Sequence, residues 1–199
     1  MTSSRSATRE RVTKETAIDI ELDLDGSGSV VVATGLPFFD HMVAQLGKHG
    51  GFDLTVSANG DLDVDAHHTV EDVGIALGQA LAQALGEKAG IRRFASISLP
   101  LDEALVDVAL DLSGRPFLVY EVDPGTDAIG TPPFDPHMAE HFWQSFATAA
   151  ALTLHVRLVS GRNPHHIIEA SFKGVARALR DAVRVEVSGG AVPSTKGTL

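Results

Sequence analysis

Apolar residues take every second position along Glu15–Gly26, at Ile18, Ile20, Leu22 and Leu24, and again along Glu103–Gly114, at Val106, Val108, Leu110 and Leu112. A period of two predicts half-buried strands, and each of these closes at a glycine turn. The two segments align at an offset of 88 residues, so the chain reads as an internal repeat. From Pro37 to about His49 the period changes to that of a helix, with Phe39, Met42, Val43 and Leu46 on one face and His41, Gln45 and His49 on another. The same layout returns at an offset of 100 around His141, with Phe142, Trp143 and Phe146 apolar and His141, Ser145 and Ala149 on the second face. The extra residues fall in Asp123–Pro136, whose four prolines and two glycines predict a surface loop.

Strands are expected next at Phe52–Ala58 and Leu152–Val159, and then two long helices, from Asp65 to about Leu85 and from Asn163 to about Val185. Asp65 and Asn163 are good N-cap residues, and Pro164 suits a first helical turn. Each half is thus expected to run strand, strand, helix, strand, helix. The fold class that follows is α+β, with two duplicated half-domains, each a mainly antiparallel sheet covered on one face by helices. The first repeat is placed at 12–95 and the second at 96–187, packed together as one domain. Residues 1–11 are expected to be a mobile tail, and 188–199 a C-terminal tail with little to pack on.

A chain of 199 residues buries roughly 70% of its unfolded surface, enough for a core without staples. Apolar residues at 44% and charged residues at 21% argue against disorder and coiled coil. The net charge of −10 repels nucleic acid and anionic lipid, leaving room only for a local basic pocket that holds a small anion. With zero cysteines there is no disulfide, zinc finger or thiol nucleophile. No apolar run has the length of a membrane span, and the cytoplasm is the default compartment.

The nine histidines change the picture most. On the helix opened by Asp65, His67 and His68 diverge by about 100° while Glu71 falls between them. The three border the apolar stripe of Val70, Val73, Leu77, Leu81 and Leu85, which predicts a site at the rim of the core. His165, His166 and Glu169 repeat the arrangement. A lone histidine at a helix start is ordinarily a capping or core residue, but packing gives no reason for Glu at the same offset twice. With His41 and His141 the inventory becomes six imidazoles and two carboxylates. It suits two first-row divalent ions with open coordination positions, and each adjacent pair of histidines is expected to serve two different ions. Mn, Fe, Co, Ni and Zn all fit the ligand chemistry. His137 and His155 read as solvated, and His49 reads equally as a ligand-facing residue or as a cation complementing its helix C-terminus.

Five segments in order, FFDHM at 38–42, AHHTVEDVG at 66–74, DLSGRP at 111–116, NPHHIIEA at 163–170 and PSTKG at 193–197, resemble the signature segments of the imidazoleglycerol-phosphate dehydratase family. The resemblance runs from about Arg11 to the C-terminus, and Asp123–Pro136 is its least family-like stretch. It implies a ribosomal protein S5 domain 2-like fold and a manganese-dependent hydro-lyase of histidine biosynthesis. Its reaction converts imidazole glycerol phosphate to imidazole acetol phosphate, through an imidazolate between two Mn²⁺ ions per site and a diazafulvene-like intermediate. The implied ligands are His41, His67, His68, Glu71, His141, His165, His166 and Glu169. Glu15, in a family-like segment, is the implied base, and Asp72 a candidate to orient a ligand imidazole. Gln45 and His49 are expected near substrate. Lys173 shares an arc with His166 and Glu169 where the first repeat has Ile75, an asymmetry that suits one phosphate. Arg93 (preferred to Arg92), Arg115, Ser194 and Lys196 match phosphate-binding positions. The family also implies a homo-oligomer of 24 subunits with shared sites. A metal-storage protein and a dinuclear phosphate-ester hydrolase are the competing readings; storage gives no reason for Lys173, and such hydrolases rely more on bridging carboxylates.

Overall fold

A computed structural model describes residues 5–187 and 190–199. The first half contains β1 (Ser6–Val12), β2 (Thr16–Asp23), β3 (Val30–Ala33), α1 (Pro37–Gly50), β4 (Asp53–Gly60) and α2 (His67–Leu85). The second contains β5 (Phe94–Leu101), β6 (Ala104–Asp111), β7 (Phe117–Glu121), α3 (Met138–Ala149), β8 (Thr153–Ser160) and α4 (Pro164–Ala182). The sheets have the orders β1-β2-β4-β3 and β5-β6-β8-β7, in which only β3–β4 and β7–β8 are parallel. The structure is therefore α+β with duplicated halves, as expected.

Three strands rather than two precede the first helix of each half. The expected mobile tail enters β1 at Ser6, pairing with β2 from Ser6↔Asp23 to Val12↔Ala17. Its signal is weak because only Ala7 is buried, and the inward position Arg11 reaches Asp72 on α2 by an ion pair rather than by apolar packing. Residues 1–4 of that tail, and 188–189 of the C-terminal one, lie outside the described residues. Helix α4 stops at Ala182, short of Val185. Its last carbonyl is taken by the neighbouring segment, Arg93 N–H donating to Ala182 O, and just past it Arg92 N–H donates to Arg184 O.

The helices form a layer between the sheets. Helix α2 lies on β1 and β2, and α4 on β5 and β6. Within the layer the pairing crosses the repeat boundary, α1 against α4 and α2 against α3. The second crossing is close because α2 presents glycines: a Cβ at Gly74 would stand 2.9 Å from Phe142 O, and one at Gly78 2.6 Å from Phe146 O. The stripe read from the sequence, Val70, Val73, Leu77, Leu81 and Leu85, is buried throughout. Trp143, Phe142, Phe146 and Phe172 form the aromatic centre, with Trp143 and Phe172 rings 4.5 Å apart. Among the described residues no helix is long and apolar enough to cross a membrane.

The loop 123–136 is more than a surface excursion. Phe134 is 2% exposed, with its ring 5.3 Å from that of Phe38, and Ile129 and Phe134 exchange backbone hydrogen bonds of 2.9 Å. Phe38 in turn meets the His165 ring edge-on at 5.2 Å, so the loop supports the wall behind that histidine.

Candidate metal centre

Helix α4 starts sharply. Asn163 is its N-cap, its side chain accepting from the N–H groups of His165 and His166, and Pro164 supplies a pre-set first turn. His165 and Glu169 then lie one turn apart on the face toward α1. There His41 Nε2 stands 3.2 Å and His165 Nε2 2.9 Å from the same Glu169 oxygen, Oε2. The donor atoms of these three side chains lie within 4.8 Å of one another. Lys173 donates to the other carboxylate oxygen at 2.6 Å. Burial acting alone would raise the Glu169 carboxyl, but the bonds from Lys173, His165 and His41 outweigh it and hold it at about 2. These bonds favour the anionic carboxylate, the form in which it ligates a metal.

The pseudo-equivalent side chains meet more loosely across the α2–α3 contact, and among the described residues only His41, His165 and Glu169 bring three donor atoms within 4.8 Å of one another. The rings of His67 and His141 are 4.7 Å apart, and His67 Nε2 lies 3.8 Å from Glu71 Oε2. Two imidazoles and one carboxylate, with no thiol, make a donor set that a first-row divalent ion accepts, and three protein ligands leave positions open. Both sets fit such an ion by donor type, and the first fits it also by the spacing of its donor atoms.

His68 and His166 join neither group. As helical geometry requires, each diverges from its neighbour, the ring planes standing 84° apart for His67/His68 and 81° for His165/His166. His68 Nδ1–H donates to Asp61 at 2.9 Å, with Glu15 4.0 Å from Nε2; His166 Nδ1–H donates to Glu103 at 2.8 Å. These bonds raise the pKa of both imidazoles above the usual value, and the His166 bond, followed by the Asn163 backbone N–H, holds Glu103 at about 2.

Several expected roles are redistributed. Asp72 touches no imidazole: it accepts from Arg11 at 2.8 Å and from the Thr16 hydroxyl, which ties the first sheet to α2. Gln45 is buried and spends its amide on His41, donating to the backbone oxygen at 2.9 Å and lying 3.3 Å from Nδ1. His49 shares the α1–α4 face with Lys173 and Arg177, and burial followed by these cations lowers its pKa. Glu15 stands in the β1–β2 turn, whose backbone is pinned by Thr13 Oγ1, and its carboxylate is half-exposed.

The anion-binding candidates assemble at the far end of α4. Arg93, Arg115, Ser194 and Lys196 line an open cavity of about 620 Å³; Arg92 does not. Arg93 is committed to Asp111 through two nitrogens, at 2.7 and 3.1 Å, and to Pro193 O through the third at 2.7 Å. It organises the tail, whereas Arg115, 68% exposed, is held only by longer contacts, to Asp111 at 3.8 Å and Ser113 O at 3.4 Å. The C-terminal tail therefore does pack on its own chain: Leu199 approaches Gly114 so closely that a Cβ there would come within 2.5 Å of it. Because Arg93 N–H meets Ala182 O, this cavity lies about 25 Å along α4 from His165 at 1.5 Å rise per residue. One chain does not bring the two together.

Asp61, Glu103 and Phe134 carry contacts at the site that sequence reasoning did not single out. For Glu103 the signal was present, since it is the repeat counterpart of Glu15.

A family model described as imidazoleglycerol-phosphate dehydratase matches residues 34–179. The imidazoleglycerol-phosphate dehydratase of Acidothermus cellulolyticus is 58% identical over 195 residues, covering 98% of this chain and 93% of that protein. That of Gluconacetobacter diazotrophicus is 55% identical, with 100% of both chains covered. Among solved structures, the Pyrococcus furiosus enzyme in complex with (S)-C348 superposes with a TM-score of 0.82 at 35% identity, covering 96% of this chain and 100% of that one. The Staphylococcus aureus enzyme gives 0.81 at 33%, covering 90% and 99%.

Proposed function

This chain belongs to the imidazoleglycerol-phosphate dehydratase family, and from that premise we propose that it dehydrates imidazole glycerol phosphate to imidazole acetol phosphate, a lyase step of histidine biosynthesis, with Mn²⁺ as its metal. The observation that carries the reading is the cluster of His41, His165 and Glu169, flanked by Lys173 and repeated in residue type by His67, His141 and Glu71. His41, His165 and Glu169 would hold one ion and His67, His141 and Glu71 the other. Such ions, when bound, supply Lewis acidity that orients the substrate imidazole and favours its deprotonated form.

The chain's own groups account for the rest. Lys173 and His49, which share the α1–α4 face, would flank the hydroxylated, phosphorylated side chain. Once the hydroxyl on the carbon adjacent to the ring has left, taking up a proton from solvent to depart as water, the half-exposed Glu15 takes the proton from the carbon next but one to the ring. The resulting enol tautomerises to the ketone.

A substrate with three carbons between ring and phosphate does not span about 25 Å, so Arg115, Ser194 and Lys196 meet the metal groups only across a contact between copies. Among the described residues His68 and His166 join no three-donor group of their own chain, and in an assembly they would complete groups in neighbouring copies. Both features support the reading of a homo-oligomer of 24 subunits with shared sites.

The test is turnover of imidazole glycerol phosphate by metal-stripped protein with and without added Mn²⁺, reading the ketone directly. Product only with metal is expected. No product from protein that binds Mn²⁺ would refute the lyase reading and favour storage or phosphate-ester hydrolysis.

A further inference from the structure

The two halves carry matching carboxylates, Glu15 and Glu103, at the same place in the turn between the first two strands of each half. Their surroundings differ. Glu103 is occupied on both oxygens: Oε1 accepts from the backbone N–H groups of Asn163 at 2.9 Å and Arg162 at 3.4 Å, and Oε2 from His166 Nδ1–H at 2.8 Å. Glu15 has no such bond. The histidine equivalent to His166 is His68, and its Nδ1–H is taken instead by Asp61 at 2.9 Å, leaving Glu15 4.0 Å from Nε2. By the offset of 100 that relates Val56 of β4 to Val156 of β8, the second-half counterpart of Asp61 is Gly161, which has no side chain to offer.

We propose that Asp61 and Glu103 are positioning residues that orient His68 and His166, each accepting from Nδ1 so that Nε2 is presented outward, and that the presence of Asp61 is what releases Glu15 from that duty. A carboxylate on one ring nitrogen fixes the tautomer and the ring direction, and raises the basicity of the other nitrogen toward a metal. The second half uses the repeat's own turn carboxylate for this task. The first half delegates it to a residue just past the end of β4, and the turn carboxylate stays open for chemistry. The inference rests on the metal-dependent reading above.

The experiment is Mn²⁺ titration of the metal-stripped full chain, with free Mn²⁺ followed by electron paramagnetic resonance, alongside turnover. Glu103→Ala and Asp61→Ala are expected to weaken Mn²⁺ binding by about 10- to 100-fold, and Glu103→Gln, which keeps an acceptor oxygen, to recover part of the loss. Glu15→Gln is expected to bind Mn²⁺ like the parent and to lose turnover even at saturating metal. A double-mutant cycle of Glu103→Ala with His166→Ala separates orientation from folding: the second substitution adds little if Glu103 acts through His166, and losses that simply add overturn the proposal. Parent-like Mn²⁺ affinity in both alanine variants also overturns it. A parent that binds no Mn²⁺ overturns the metal-dependent reading itself, and this inference with it.

Discussion

Substituting Gly78 by alanine tests whether the contact between α2 and α3 is set by glycine. On an exposed helix this change stabilises by about 1 kcal/mol, because alanine loses less backbone freedom. Here the added Cβ would stand 2.6 Å from Phe146 O, 2.8 Å from Ala149 Cβ and 2.9 Å from Ala150 N. Ordinary contact lies near 3.5 to 4.0 Å, so the helices must part by roughly 1 Å. Two of the three obstructing atoms are backbone and cannot rotate away, which places the cost toward the upper end of the range of about 1–3 kcal/mol for overpacking. The net expectation is a loss of about 2 kcal/mol, or roughly 4–8 °C in Tm for a chain of this size. Because α3 carries His141 as a rigid element, Mn²⁺ affinity should fall as well, the His67–His141 ring separation of 4.7 Å depending on the same approach. Thermal and urea unfolding of metal-free protein, followed by Mn²⁺ titration, measures both. Gly78→Ala as stable as the parent, or more so, would refute the reasoning, since propensity would then have won over packing. The double variant with Gly74→Ala should lose less than the sum of the two, because helices already parted by one methyl accommodate the second.

Three further outcomes follow from particular contacts. Phe134→Ala should cost about 3–5 kcal/mol in urea unfolding, as for other buried phenylalanines; a loss under about 1 kcal/mol would mean that the 123–136 loop lies loosely on α1. Lys173→Ala removes a cation from the phosphate side of the pocket and should lower kcat/KM by roughly ten- to a hundredfold, the equivalent of a charge-assisted hydrogen bond; unchanged kinetics would place the phosphate elsewhere. The Glu103–His166 pair predicts the pH dependence of metal-free stability. The raised His166 contributes stability that is complete below its usual 6.5 and is lost as pH climbs through its folded value. The lowered Glu103 contributes stability present above its usual 4.5 and lost as pH falls toward 2. Glu103→Gln should flatten both limbs of the urea midpoint plotted against pH, and a profile identical to the parent's would contradict the pairing.

Periodicity alone identified α1, α2, α4, β2 and β6, the apolar stripe of α2 and the divergence of each adjacent histidine pair, because helix and strand geometry dictate which side chains share a face. The duplication was equally legible, since matched spacing needs no knowledge of contacts. Strand β1 was not, because its inward positions are filled by Ala7, Arg9 and Arg11, and the partner that holds Arg11 there, Asp72, is brought from α2. The tail's fold onto Arg93 and Gly114, and the burial of Phe134, depend on distant partners in the same way. The decisive step was the crossing of the halves, α1 with α4 and α2 with α3. A hydrophobic face specifies that a helix is buried, not against which helix. The choice is made by shape, by glycines where backbones meet and large rings where they do not. It is this choice that sets His41 beside His165 and Glu169, and His141 beside His67.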